Sequence, residues 1–366
     1  MGLQIGIVGL PNVGKSTLFN AVSTTAKAEA ANYPFCTIEP NIGIVPVPDE
    51  RFDALVNLYH PPKEVRATID FVDIAGLVKG ASKGEGRGNA FLSNIREVDA
   101  IAHVVRCFED DQVIHVANKV DPAGDVETIE TELILKDLET VEKALDKARK
   151  QARTGKPEDK LAVEAYEVAL KGLNEGKIAH ALKLSDDHRA TLKNLFLLTD
   201  KPMFFVANVA ESDLHGEGNV HVKTLEALAK ARNIPVVRIS AAIEAEIASL
   251  PKSEQADFLA SLGLKEPGLA NVVRTGYSLL DLITFFTAGD PEVHAWTLKR
   301  GSKAPQAAGR IHTDFERGFI RAEVIFWKDL VELKSEGAAR AAGKLAIEGK
   351  DYVMRDGDVV HFRFNV

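Results

Sequence analysis

Gly9-Leu-Pro-Asn-Val-Gly14-Lys15-Ser16 is the stretch that most narrows what this 366-residue chain can become. It matches G-x-x-x-x-G-K-[S/T], a loop whose backbone N–H groups wrap phosphate oxygens. The apolar run 3–8 before it reads as a buried strand, and 17–22 after it reads as the start of a helix. Strand, glycine turn and helix N-terminus together make a phosphate cradle, because free first-turn N–H groups and the helix dipole both favour negative charge. In that cradle Asn12, Val13, Gly14, Lys15, Ser16 and Thr17 are expected to contact a nucleotide. Lys15 would reach the outer phosphates and take part in the reaction, and Ser16 would offer its hydroxyl to Mg²⁺.

The length leaves room for two or three domains. With 45% apolar and 27% charged residues the composition is that of a globular chain. No apolar run approaches the roughly 20 residues that span a bilayer, so no membrane partner is expected. Cys36 and Cys107 form neither a metal-type pair nor a disulfide framework, and no basic leader precedes the first strand. A cytoplasmic protein is expected on those grounds. A net charge of −8 argues against a wholly basic nucleic-acid binder but leaves room for a local basic patch.

Short apolar runs recur at 42–47, 67–72, 100–105, 203–207 and 235–239, alternating with helical patterns. That alternation predicts an α/β sheet, mostly parallel. Residues 125–200 break it. Ile134, Leu138, Val141, Leu145, Ala148 and Ala152 follow a 4-3 spacing, the seam of a coiled coil. A turn at 154–157 leads into a second helical pattern on Leu161, Ala165, Val168 and Leu173. We read an antiparallel helical hairpin inserted into a discontinuous nucleotide-binding domain (1–124 and 201–282). Its tip gathers Lys147, Arg149, Lys150, Arg153, Lys156 and Lys160, either a solvated end or an RNA contact. Residues 283–366 carry short strands at Trp296, Val324–Phe326, Tyr352–Met354 and Val359–Phe364, with a turn at Asp356-Gly357-Asp358, and read as a β-grasp-like unit.

Asp73-Ile-Ala-Gly76 ends a strand at the right distance from the phosphate loop for Asp73 to hold Mg²⁺ and for the Gly76 N–H to approach the γ-phosphate. The glycine-rich 80–89 segment after it looks like a switch. Thr37, between phosphate loop and second strand, is a candidate second Mg²⁺ ligand. Guanine is usually read by N-K-x-D, and Asn118-Lys-Val-Asp121 spells it, but without a long buried strand before it. Asn208-Val209-Ala210-Glu211 follows such a strand and precedes Ser240-Ala241-Ala242 by one βα unit. These seven residues are taken as the base-reading positions, with 118–121 a decoy. Glutamate in place of aspartate moves the carboxylate by a methylene and weakens the bidentate fit to guanine, so ATP is expected over GTP. Leu77 stands where many GTPases orient water with glutamine, so unassisted hydrolysis should be slow. His115 could supply a polar group, and Asn12 could help to bind a monovalent cation. His103, inside an apolar strand, reads as packed core. His215 and His221 lack the further ligands of a metal site.

These strings resemble the YchF/Obg-like ATPases. Gly9–Ser16, Asn32-Tyr-Pro-Phe-Cys-Thr37-Ile-Glu-Pro-Asn, Asp73-Ile-Ala-Gly-Leu-Val-Lys-Gly-Ala, Val105-Arg-Cys-Phe and Asn208–Glu211 carry the resemblance, over nearly the whole chain. It implies a translation-factor-class P-loop NTPase with a coiled-coil insertion and a C-terminal TGS domain. It further implies ATP as substrate, Mg²⁺, stimulation by K⁺, and association with the ribosome, through its large subunit or RNA, by the coiled coil and TGS domain. Under it Ser16 and Thr37 are Mg²⁺ ligands and His115 a hydrolysis residue. The complete N-K-V-D string is a departure from the family pattern. A monomer is expected. Two rival functions are a conventional GTPase of ribosome assembly and an RNA-binding module whose nucleotide is structural.

Overall fold

The computed structural model describes residues 3–30, 41–74, 87–113, 115 and 119–365. β1 (Gln4–Val8) runs through the glycine turn into α1 (Lys15–Ala30). β2 (Ile42–Pro46), α2 (Glu50–Tyr59), β3 (Lys63–Val65), β4 (Thr68–Asp73), α3 (Arg87–Glu97) and β5 (Ala100–Arg106) follow. Next come three helices, α4 (Pro122–Gln151), α5 (Pro157–Asn174) and α6 (Asp186–Lys193). The α/β pattern resumes with β6 (Met203–Asn208), α7 (Val220–Arg232), β7 (Val236–Ile239), α8 (Ala241–Ser249), α9 (Lys252–Ser261) and α10 (Gly268–Leu279). The C-terminal part holds β8 (Leu282–Ala288), β9 (Glu292–Lys299), α11 (Ala304–Ile311), α12 (Thr313–Arg317) and β10 (Phe319–Phe326). It ends with α13 (Trp327–Leu333), α14 (Glu336–Ala341), β11 (Ala346–Glu348) and β12 (Asp358–Phe364).

The first sheet has the order β2-β4-β1-β5-β6-β7, parallel except for β2, which runs against β4. β5 and β6 are buried at every position, as central strands covered on both faces must be. All six strands expected here form, each within a residue or two of its apolar run. The parallel arrangement sets the loops after β1, β4, β5, β6 and β7 at one end of the sheet, where ligands of open α/β folds bind.

α4 and α5 pack against each other, burying Ile134, Val141, Leu145 and Ala148 against Ala165, Ala169 and Leu173. The first seam lies where the spacing put it. On α5 the register differs: Val168 is 41% exposed, and Tyr166 and Ala169 face the partner instead. Each is one position from Ala165 or Val168, a 100° turn that single-residue spacing does not resolve. The base of the hairpin is fixed by Asp137, fully buried. Its carboxylate accepts from the Leu198 and Thr199 N–H groups, both at 2.8 Å, and from Thr199 Oγ1 at 2.7 Å. The six basic residues of the tip are all exposed.

The second sheet has the order β11-β10-β12-β8-β9-β3. Tyr352–Met354 does not form the expected strand and makes only an isolated bridge, Val353 to Lys303. β8, β11 and the edge strand β3, which comes from the first 124 residues, were not expected. Among the described residues no helix is long and apolar enough to cross a membrane.

Candidate functional site

β1 leaves the sheet at Gly9, which has φ +155° and lies so close to the Val104 carbonyl that a Cβ would collide with it. Asn12 follows with φ +62° and Gly14 with φ +96°. At Gly14 a side chain would be driven into Asn208 Nδ2, so both glycines are demanded by close approach as well as by dihedral angle. The loop thus turns its backbone inward, with Val13 buried and Asn12, Ser16 and Thr17 exposed. Lys15 folds back over it. Its Nζ donates to the Leu10 carbonyl at 2.7 Å. Burial pulls the ammonium down to about 8, with Asp73 opposing the shift. Asp73 ends β4, opposite Ile7 of β1, and burial raises its carboxyl while Lys15 lowers it. Lys15 and Asp73, far apart in sequence, therefore face one another at the head of the sheet.

The end of β6 reaches the same place from the other side. Asn208 is buried; its Nδ2 donates to the Val13 carbonyl at 2.9 Å and its Oδ1 accepts from the Ala241 N–H at 2.9 Å. One side chain thus clamps the phosphate loop to the loop after β7. Backbone bonds from Cys107 N to Asn208 O and from Val209 N to Ile239 O, both 2.8 Å, hold the strand end between its neighbours. Val209 is buried, Ala210 half-buried and Glu211 exposed, opening a single 3-10 turn over Glu211–Asp213. Ser240 and Ala241 are buried at the start of α8, and Ala242 is exposed. Asn12 to Thr17, Asp73, 208–211 and 240–242 are all brought to this one end.

Asn118-Lys-Val-Asp121 is used otherwise. Asp121 caps α4, accepting from the Gly124 N–H at 3.2 Å, and pairs with Lys119 at 3.4 Å. Those bonds hold its carboxyl below the usual range. Asn118, Thr37, Gly76, Leu77 and Cys36 lie outside the described residues. His115 is buried, its Nε2 3.0 Å from Asp125 Oδ2 in the first turn of α4. His103 is packed in β5, edge-on to Phe205, and its Nε2 has no hydrogen-bond partner among the described residues. Burial, then the Lys15 charge, lowers it to about 3, so the ring is neutral. His215 bonds the Leu262 carbonyl and His221 pairs with Glu109. Cys107 is buried, and burial raises its thiol to about 12.

Two residues that the sequence reading passed over organise this region. Arg106, fully buried at the end of β5, donates to the carbonyls of Phe108, Asp110 and Val113 at 3.0, 3.2 and 2.8 Å. Asp125 is the second. It sits beside Val126 and one turn before Ile129 on the buried stripe of α4. A charge on an apolar stripe was the signal available for it.

The donor chemistry fits a hard divalent cation, since Ser16 offers a hydroxyl and Asp73 a carboxylate beside a buried lysine. A family model described as a 50S ribosome-binding GTPase matches residues 4–141. The C-terminal model of the YchF GTPases, described as a protein of unknown function, matches 282–365. The chain is 54% identical over 366 residues to the ribosome-binding ATPase YchF of Haemophilus ducreyi, with the whole of both chains covered. It is 53% identical over 370 residues to that of Bacillus subtilis, again with full coverage. The solved structure of the Schizosaccharomyces pombe YchF GTPase is similar with a TM-score of 0.89 and 40% identity, covering 99% of this chain and 98% of that one. The chain belongs to the YchF family, built on the P-loop GTPase-type α/β fold.

Proposed function

We propose that this protein is a ribosome-associated, Mg²⁺-dependent ATPase of slow intrinsic turnover that acts as a nucleotide switch. The observation that carries the ATP assignment is the Asn208 clamp. It ties Asn208–Glu211 to the phosphate loop and to Ser240–Ala242, while Asp121 of the guanine-like string is occupied as a helix cap. The base is then read where Glu211 replaces the aspartate that guanine needs. The names of the relatives support the ribosome as partner, with the hairpin (125–200, a coiled coil) and the C-terminal unit (283–366, a TGS domain) as contact surfaces.

In this reading Lys15 exchanges the Leu10 carbonyl for phosphate oxygens, and the backbone of 12–17 takes up the remaining charge. Ser16, Thr37 and Asp73 would hold Mg²⁺, which would supply positive charge to offset that of the phosphates. Leu77 cannot orient water, which leaves hydrolysis to His115 and keeps it slow. Calorimetric titration with non-hydrolysable ATP and GTP analogues in Mg²⁺ tests the assignment. Tighter ATP binding, lost in Glu211→Ala and kept in Asp121→Ala, is expected. Tighter GTP binding lost in Asp121→Ala would move the base site to 118–121.

A further inference from the structure

We propose that Asp125 is a positioning residue for His115, holding the imidazole through its Nε2 in one tautomer and one direction. This rests on the reading that His115 serves hydrolysis. The two side chains are 4% and 5% exposed, and Nε2 lies 3.0 Å from Oδ2. An ionised Asp125 only accepts, and in that state the bond places the proton on Nε2. A partner of this kind fixes both tautomer and ring direction, the part a carboxylate plays wherever a histidine must act at one defined nitrogen.

The surroundings argue that the pair is held for orientation. Burial raises the Asp125 carboxyl, opposed first by the His115 hydrogen bond, so an ionised Asp125 is costly here without the imidazole. The other charges facing it are Asp121, on the same helix turn, and Arg106 of β5. Arg106 is spent on the carbonyls of 108, 110 and 113, which fixes the chain just before His115 and leaves Asp125 to fix the ring. Asp125 is itself set by the capped start of α4, where Asp121 is the N-cap and Pro122 the first residue. The direction of the ring is thereby tied to the root of the helical hairpin.

Asp125→Asn, His115→Ala and the double variant separate the claims, with single-turnover hydrolysis and analogue binding measured on the full chain. Asp125→Asn is expected to lower the rate about 10- to 100-fold with nucleotide affinity changed by less than about twofold. The pH–rate profile of Asp125→Asn should change along with the rate, because the carboxylate that holds His115 is gone. The double variant should be no slower than His115→Ala alone. An unchanged rate and pH profile in Asp125→Asn, with His115→Ala inactive, would overturn the positioning role and leave the His115 reading standing. An unchanged rate in His115→Ala would instead remove that reading. Should Asp125→Asn misfold, ¹⁵N imidazole spectra of the wild-type protein with a non-hydrolysable ATP analogue decide the matter. A His115 signal protonated at Nε2 is expected, and one protonated only at Nδ1 refutes the proposal.

Discussion

The Asn208 clamp can be taken apart one bond at a time. Asn208→Ala removes both arms, leaving the Val13 carbonyl and the Ala241 N–H without the partners they have at 2.9 Å. An unsatisfied buried group costs about 1–3 kcal/mol, so local opening at Ala241 should become easier by that amount. Since 1.4 kcal/mol is tenfold, amide exchange at Ala241 should speed up about 5- to 150-fold. The Glu244 N–H, bonded to the Ser240 carbonyl at 3.0 Å, lies a turn further into α8 and should change less. Asn208→Asp is the discriminating variant. Its carboxylate still accepts from Ala241 but sets an oxygen against the Val13 carbonyl, so protection at Ala241 should survive while the phosphate loop loosens. Hydrogen exchange read residue by residue, paired with calorimetric binding of an ATP analogue, measures both arms. Affinity should fall at least about tenfold in both variants, because either one uncouples phosphate from base recognition. If exchange at Ala241 and affinity are both unmoved in Asn208→Ala, the clamp does not organise the site and the argument for the base loop fails.

Three further outcomes follow from the same geometry. Lys15 is held down to about 8 by burial, so the apo site loses its charge as pH rises through that value. ATP-analogue affinity should then fall by up to about tenfold per pH unit above about 8, whereas stability should rise between about 8 and 10.5, where the unfolded chain binds more protons than the folded one. Asp137→Asn can accept at only one oxygen where three donors converge. It should cost about 2 kcal/mol by urea denaturation followed by circular dichroism, and it should also remove the loss of stability that a raised carboxyl causes as pH climbs from its ordinary to its raised value. Arg51→Ala cuts a half-buried link worth about 1 kcal/mol. Both tryptophans, Trp296 and Trp327, belong to the C-terminal unit, so their fluorescence should report a lower urea midpoint there, and an unmoved midpoint would show the link to be dispensable.

What could be read in the chain was local. A glycine loop between strand and helix declares itself in eight residues, and a buried strand followed by Asn208 declares the second half of the clamp. The seam of α4 is legible because its heptad spacing is regular. The facing side of α5 was misread at Val168, because small residues and one tyrosine carry its stripe and hydrophobicity does not rank them. Three features had no local signature. β3 is three residues long, two of them charged, and is a strand only because β9 lies beside it. Arg106 reads as the polar end of an apolar strand, yet its guanidinium is buried on backbone carbonyls that come together only after the loop has folded. The His115–Asp125 pair joins a loop to a helix; a charge on the apolar stripe of α4 marks Asp125, but nothing in the spacing of ten residues marks His115 as its partner.

β3 has a consequence for how the two sheets are joined. The stretch from Thr37 to Asp73 connects two proposed Mg²⁺ positions, and it contains β2, α2, β3 and β4. Midway along it the chain leaves the first sheet. Arg51, at the start of α2, holds Asp49 at 2.7 Å and Asp356 at 2.9 Å, and lies 5.6 Å above the Phe286 ring. Asp356 in turn accepts from the Thr284 N–H of β8 at 2.9 Å. Lys63, Glu64 and Val65 then pair in parallel with Glu292, Val293 and His294 of β9. A second tie runs from α8: Glu244 accepts from the Gly268 and Leu269 N–H groups at 2.8 and 3.0 Å, which start α10, and α10 leads directly into β8. The segment between β2 and β4, and α8, are therefore each bonded to an element of, or leading into, the second sheet. Moving α2 or α8 relative to that sheet must either break these bonds or carry β8 and β9 along. These ties all enter the second sheet through β8, β9 and β3, with β12 and β10 next in order and β11 at the far edge.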